Sequence, residues 1–441
     1  MARNANAVTM AQVLLHGPGG AQPHAIGWLS EVGDNLRVSF ADDYVADTGR
    51  PTLSQLYRGD GEGDTKAILT AVNDERLVRI RSLPTWFSNL LPEGTNRERL
   101  AEQRGCSTED ELELLAAAGH DLSGAVEIVP AHDVPSAVVE LHATRHLEPL
   151  QPNAVAAPMD DGFSVDGIQT KFSMVEENRH YVVRRGTEAG AFIVKLPFAR
   201  RRDIVLNEGI CYELARAAGI ATAEASVRPI AEFGGPRGVA EAFDEFLLVK
   251  RFDRIEREDG STARIHFEEL TQALGLSGAD KYKHLRRSMR ALLGLLKNSD
   301  TAGQPDIDEF FRRWTAYALM GNTDAHSKNW GLIYRDGVNL QLAPAYDIVC
   351  VASYFDDADP RLLAHNRAMD VELRKWNEDD AEALAKSAGL LSFNRARRIV
   401  RETRKAALET WPALLEKAPD PVRLTITQRL FDLARPTKRP G

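Results

Sequence analysis

The 441-residue chain carries 55 Lys and Arg against 64 Asp and Glu, a net charge of −9, with 43% hydrophobic and 27% charged residues. These proportions exclude a disordered, collagenous or disulfide-scaffold chain, and the length suggests about two or three domains. The acidic balance argues against a broad nucleic-acid- or membrane-binding face, because neutralising phosphates takes clustered Lys and Arg. Cys106, Cys211 and Cys350 stand far apart with no CxxC pair, so they read as small buried apolar residues in a reducing compartment. No stretch approaches 18 apolar residues and the amino terminus lacks a continuous apolar core, so a cytoplasmic chain with no membrane partner is expected.

In chain order, residues from about 11 to 60 read as short strands, LRVSF (36–40) among them, with a Gly-Pro-Gly-Gly loop at 17–20. From Pro84 the pattern turns helical. LPEGTNRERLAEQRG stops at Gly105, and Ser107 is placed to cap a following helix that ends at Gly119. Four prolines between 131 and 159 mark a linker, with an N-terminal α/β unit (1–130) before it. Residues 160–255 then form a β-rich lobe, with strands in HYVVRR, AFIVKLP and EFLLVKRF. One helix over about 204–218 carries Ile210, Leu214 and Ala218 on one face. Residues 256–441 are mostly helical, apart from a hairpin, WGLIY–Asp336-Gly337–VNLQLAP.

The chemistry concentrates in GNTDAHSKN (321–329). It follows a helix with Phe310, Trp314 and Tyr317 on its apolar face, which Gly321 is placed to end. The hairpin that follows returns Asp347 towards Asn329, so a carboxylate, an amide oxygen and a second carboxylate converge. That set suits phosphoryl transfer: Asn329 and Asp347 as Mg²⁺ ligands, and Asp324 as the base that deprotonates an attacking hydroxyl. In the β-rich lobe, Lys195 shares a strand face with Ile193, and Glu208 near the start of the next helix can pair with it to fix ATP phosphates. The polar, Gly-containing turn 162–171 can cradle phosphates through its N–H groups.

Each residue also has a plain structural reading. The 324–329 loop can be a helix-capping turn, and Asp347 a turn residue. Lys195 can be a solvated strand lysine, Glu208 a first-turn charge and Ser164 a cap or loop hydroxyl. Asp324, His326 and Asp347 can be read as zinc or iron ligands, although no further His stands at ligand spacing. What separates the readings is the joint order, since five such residues in kinase sequence order are improbable as independent accidents.

With FSNLLPEG (87–94), LSGAVEIVP (122–130), SVDGIQTK (164–171), IVKLP (193–197), NEGICYELARAAGI (207–220), VKRFDR (249–254), NTDAHSKN (322–329) and LAPAYDI (342–348), the chain resembles the HipA-type serine/threonine kinase toxins of bacterial toxin–antitoxin modules. The resemblance implies an α+β, bilobal protein-kinase-like fold related to lipid kinases, with an extra N-terminal subdomain that contacts a HipB-like helix-turn-helix antitoxin. It makes Asp324 the proton acceptor and Asn329 and Asp347 the Mg²⁺ ligands. ATP contacts fall to the nucleotide loop Asp166, Gly167, Ile168, Gln169, Thr170 and Lys171, to Lys195, and to the hinge Lys250, Arg251 and Phe252. His326, Ser327, Lys328, Asn329, Tyr346 and Asp347 complete that set, and Glu208 is the structural partner of Lys195. Ser164 stands where such kinases phosphorylate themselves. The implied substrate is an aminoacyl-tRNA synthetase, chiefly glutamate-tRNA ligase, with DNA reached only through the antitoxin. A short 196–207 segment containing Arg200, Arg201 and Arg202, and Lys250 in place of an acidic hinge residue, depart from some relatives. A small-molecule or lipid phosphotransferase, or a non-enzymatic corepressor scaffold, is the alternative.

Overall fold

The computed structural model describes residues 7–434 except 133, 144–150, 158, 160–169, 178, 184–188, 199–200, 236–237, 239–241, 260, 284 and 358–359. Ser164, Asp166, Gly167, Ile168, Gln169 and Arg200 lie outside the described residues.

Apolar residues at strand spacing set up a meander at the N-terminus. β1 (Ala7–Leu15), β2 (His24–Val32) and β3 (Asn35–Phe40) pair antiparallel in succession. β4 (Val78–Ile80) adds beyond β3, and β5 (Val126–Pro130) pairs with the other edge of β1. The strand expectation fails after Phe40. The chain turns helical at Asp42–Ala46, where two aspartates favour a helix start, and at Gln55–Tyr57, where the Ser54 oxygen accepts the Leu56 N–H.

α1 (Gly94–Arg104) ends at Gly105 in the left-handed region, φ 71°, as its sequence predicts. α2 (Glu111–Ala118) begins later than Ser107. That serine accepts the Glu109 N–H within a turn, and Asp110 takes the cap position. Gly119 keeps a right-handed φ of −52°, so it is not a left-handed terminator. Its lack of a side chain serves close packing, since a Cβ there would lie 2.1 Å from the Ile128 carbonyl oxygen of β5. The stretch expected as a linker instead carries α3 (Ser136–Ala143) and β6 (Gln151–Ala154), and β6 pairs parallel with β1 as the sixth strand of the sheet. An outer strand tolerates Pro152, because one side of its ladder is unused.

The second six-stranded sheet runs β10-β12-β9-β7-β8-β11. Its strands are β7 (Lys171–Glu177), β8 (His180–Val183), β9 (Phe192–Lys195), β10 (Ala225–Pro229), β11 (Phe233–Gly234) and β12 (Glu245–Lys250). α4 (Ile204–Ala217) packs on it, with Ile210 and Leu214 buried in one cluster with Leu247 and Val249.

The second lobe is built on α5 (Leu285–Asn298), α6 (Gln304–Met320), α7 (Pro360–Arg374), α8 (Glu378–Ser387), α9 (Phe393–Leu415) and α10 (Asp420–Ala434). Its core centres on Leu292, Phe310, Trp314 and Trp411, and continues into α4 of the β-lobe. The expected hairpin is present as β14 (Gly331–Tyr334) and β15 (Gln341–Leu342), joined to β13 (His266–Glu269) in one three-stranded sheet. Its turn is longer than a two-residue Asp-Gly connection. The register pairs Leu332 with Leu342 and Ile333 with Gln341, and the Asp336 carboxylate accepts N–H bonds from Val338 and Asn339.

The N-terminal unit is fastened to this frame by buried Glu268 of β13. Its carboxylate accepts from Ser54 Oγ (2.6 Å), Gln55 N (3.0 Å), Trp86 Nε1 (3.0 Å) and the Tyr334 hydroxyl (2.5 Å). Among the described residues no helix is long and apolar enough to cross a membrane. Cys211 and Cys350 are buried as expected, whereas Cys106 is only half-buried.

Candidate active site

A cavity of about 390 Å³ opens between the β-lobe and the helical lobe, and Asp324, Asn329, Asp347, Lys195 and Glu208 all line it. The loop that carries the first two is shaped by its own sequence. α6 ends at Gly321, φ 72°, and Trp330 then anchors the loop's far end. The Trp330 ring packs 5.2 Å from Phe310 and 5.7 Å from Tyr317, and its Nε1 donates to the Ala325 carbonyl at 3.3 Å. Within the loop, Asn329 Nδ2 donates to the Asp324 carbonyl at 2.8 Å. That bond commits the amide nitrogen and leaves the oxygen as the side chain's acceptor atom.

Asp347 follows the hairpin with φ 52°, a left-handed conformation that aspartate tolerates better than most residues. Its N–H donates to the Tyr212 hydroxyl of α4 at 3.2 Å. Its carboxylate meets the β-lobe: Lys195 Nζ bonds Oδ1, and Lys171 Nζ lies 3.3 Å from Oδ2. Lys195 also donates to Glu208 Oε1 at 2.5 Å, the pair expected from sequence. Burial works against charge at Lys195, but Asp347 and Glu208 outweigh it and hold the ammonium above its ordinary pKa. Burial likewise opposes ionisation of Asp347, yet Lys171 and Lys195 keep its carboxyl well below the usual range.

Lys171 is not the end of a free loop. It opens β7, directly opposite Lys195 in the antiparallel ladder, so the two side chains share one face. Thr170 also continues the ladder, its carbonyl accepting the Leu196 N–H at 3.1 Å. Of the expected hinge, Lys250 is exposed and 4.0 Å from Glu224. Phe252 packs on Phe267 and Tyr346, with ring centroids 5.1 and 5.8 Å away. Arg251 lines the cavity as well. Its guanidinium is buried against Asp121 and Asp253, and its N–H is bonded to the Ala191 carbonyl, so its polar groups serve the frame.

His326 is buried, with Nε2 3.7 Å from Asp324 Oδ1. Burial, opposed by Asp324 and reinforced by Lys281 and Lys328, lowers its pKa to about 4, so the ring is neutral at pH 7. Ser327 is tied to the Lys281 carbonyl through both N and Oγ, and the Tyr346 hydroxyl donates to the Lys328 carbonyl at 2.7 Å. Three further residues at the cleft carry no signal read from the sequence. Tyr282 donates to Asp324 Oδ1 at 2.5 Å, and Glu93 pairs with Lys281 and Lys328. Glu93 falls inside the quoted FSNLLPEG motif, but 235 residues separate it from Lys328, and nothing local marks the contact.

Asn329 and Asp347 are hard oxygen donors of the kind Mg²⁺ takes when phosphates and waters complete its shell, so the donor chemistry fits that ion. Among the described residues no three His, Cys, Asp or Glu side chains gather as a metal-ligand group, so the zinc or iron reading finds no ligand set there.

A β-lobe with a Lys–Glu pair, facing a helical lobe with an Asp–Asn–Asp set, defines the bilobal kinase-like class. The family model of the HipA-like C-terminal domain matches residues 163–411, and that of the HipA N-terminal domain matches residues 21–129. The chain belongs to the HipA family. "Putative kinase Y4dM" of Sinorhizobium fredii is 31% identical over 422 residues, 93% of this chain and 92% of that protein. "Putative kinase Y4mE" of the same organism is 28% identical, covering 70% of this chain and 74% of its own length. The HipA of Shewanella oneidensis MR-1, solved with HipB and operator DNA, shares the fold with a TM-score of 0.66. Its identity is 21%, over 95% of this chain and 96% of that one.

Proposed function

We propose that this HipA-family chain transfers the γ-phosphoryl group of ATP, bound with Mg²⁺, to a serine or threonine hydroxyl of a protein. The observation that carries the reading is the convergence of Asp324, Asn329 and Asp347 with the Lys195–Glu208 pair on one cavity. Ile193, Ala223, Val249 and Phe252 give the same cavity apolar walls suited to an adenine ring. Lys195 and Lys171 hold phosphate oxygens, and Asn329 and Asp347 hold the metal ion. When bound, the ion neutralises charge on the transferring group. Asp324 orients the attacking hydroxyl and accepts its proton, and neutral His326 packs beside that carboxylate without competing for the proton at pH 7.

The family resemblance extends the proposal to the chain's setting. It acts in the cytoplasm as the toxin of a HipBA-like module, with a HipB-like antitoxin as partner and DNA reached through that partner. The acceptor is an aminoacyl-tRNA synthetase such as glutamate-tRNA ligase, and Ser164 is a self-phosphorylation site. The solved HipA's company of HipB and DNA supports the antitoxin part.

Transfer of labelled γ-phosphate from ATP to proteins of a cell lysate tests the reading. Asp324→Asn is expected to slow it by roughly 10²–10⁴, the usual loss on removing a general base. An unchanged rate rejects Asp324 as base, and label confined to small molecules redirects the reading to another phosphotransferase.

A further inference from the structure

Glu93 belongs to the N-terminal unit, at the cap position of α1, yet its carboxylate makes no capping bond to that helix. It reaches the cleft instead and divides its oxygens between two lysines. Oε1 pairs with Lys328 Nζ at 2.8 Å, and Oε2 pairs with Lys281 Nζ at 3.1 Å. Both ammonium groups are largely buried, with side chains 6% and 13% exposed, and Lys328 also lies 3.9 Å from Glu269. All four residues line the same cavity as Asp324 and Asn329.

The pairing bears on the catalytic loop from two directions. Lys328 directly precedes Asn329, and the carbonyl of Lys281 receives Ser327 N at 3.2 Å and Ser327 Oγ at 2.9 Å. The loop is therefore held by its backbone at Lys281 and by its side chain at Lys328, and Glu93 joins the two. Burial disfavours the Glu93 carboxylate, but Lys328 and Lys281 overcome that and lower its pKa to about 2. A group so firmly ionised is a fixed negative charge at neutral pH.

We propose that Glu93 is a positioning residue of the phosphoryl-transfer site, supplied by the N-terminal unit, which aims Lys281 and Lys328 at the oxygens of the transferring phosphoryl group. The inference rests on the phosphotransferase reading above and adds that the two kinase lobes do not complete the site alone. Catalysis of this kind depends on preorganised charge. An ammonium free to follow the ground-state nucleotide binds it well without favouring the transition state.

The sign of the expected effect follows. Glu93→Gln removes a negative charge that competes with the nucleotide for both lysines, so affinity for ATP is retained or gains, while transfer slows. The test compares the full-length protein with Glu93→Gln and Glu93→Asp. It measures steady-state phosphate transfer, calorimetric binding of ATP in EDTA, and thermal unfolding. The expected result for Glu93→Gln is a kcat at least about tenfold lower, with KM for ATP not raised and ATP bound in EDTA as tightly or up to about tenfold more tightly. Glu93→Asp, which keeps the charge, is expected to recover part of the lost turnover. Wild-type kcat in Glu93→Gln overturns the proposal, as does weaker ATP binding. A turnover loss that tracks loss of folded protein and is not recovered by Glu93→Asp also overturns it. If the wild-type protein itself transfers no phosphate, the phosphotransferase reading fails, and the EDTA binding comparison still tests whether Glu93 restrains the two lysines.

Discussion

Tyr282 donates its phenol proton to Asp324, and the ring behind that hydroxyl is held on two sides. The His326 ring lies perpendicular to it with centroids 4.7 Å apart, and the His365 ring stacks on it at 5.1 Å. Burial and the neighbouring Asp324 both push the Tyr282 pKa up, so the group remains a donor at all ordinary pH. One oxygen of Asp324 is thereby fixed; in the proposed reaction the other receives the acceptor hydroxyl, as in triads where a third group orients the base. A hydrogen bond to a charged group is worth about 1.5–3 kcal/mol. Tyr282→Phe is accordingly expected to lower kcat by roughly 10- to 100-fold while KM for ATP is unchanged; steady-state kinetics at saturating acceptor checks it. Asp324, Asn329 and Asp347 were legible in the sequence because a short loop and one hairpin bring them together. Tyr282 was not, since its partner lies 42 residues away and DKYK has no local feature that distinguishes it from a solvated segment.

Between elements, the same division between local and distant information holds. α4 and α6 follow from apolar periodicity and a closing glycine, because a helix face and a left-handed cap are written within a few residues. The parallel pairing of β6 with β1 joins segments over 140 residues apart, so prolines alone made its sequence read as a linker. The hinge is a stronger case. Asp121, in the loop after α2, accepts from Arg251 at 2.9 Å and Arg254 at 3.0 Å through Oδ1, and from Gly190 N at 3.3 Å through Oδ2. Asp253 pairs with the same two arginines and takes the Gly124 N–H at 2.8 Å. Two carboxylates and two guanidiniums thus join the N-terminal unit, the segment before β9 and the segment leaving β12 in one buried network. Removing one partner leaves buried charge uncompensated, at a cost of about 3–5 kcal/mol. Asp121→Ala is expected to lose stability on that scale in denaturant unfolding. A loss below about 1 kcal/mol would mean that water replaces the carboxylate and the network is not what fastens the unit.

For the whole molecule, the order of lobes was readable along the chain, but the seating of the N-terminal unit on both was not, because it depends on buried polar groups that each look ordinary in sequence. His266 is such a group. Its Nε2 bonds the Leu53 carbonyl at 2.7 Å and its Nδ1 faces the Ala125 N–H at 3.5 Å, so it lies where the unit meets β13. Burial lowers its pKa to about 4, against smaller opposing effects of the Leu53 bond and Asp253, and His326 in the cleft is lowered to about 4 as well. Both folded values lie below the unfolded value of about 6.5. Between these limits the unfolded chain binds more protons than the folded one, so stability falls as pH falls. The contribution is fully present above about pH 6.5 and is lost down through pH 4, by at most about 1.4 kcal/mol per pH unit for each histidine. Asp253 and Asp347 are held well below the usual carboxylate range, and their contribution is present above an unfolded pKa of about 3.9 and is lost as pH falls below it. The two sources therefore separate along the pH axis. Urea midpoints of the wild-type protein should change little from pH 7.5 to about 6.5 and decline from there to about 4.5. His266→Gln, which keeps a donor for Leu53, should flatten that slope, since one of the two histidines with a lowered pKa is removed. An identical slope in both proteins would place the proton uptake elsewhere and contradict a neutral His266 at this junction.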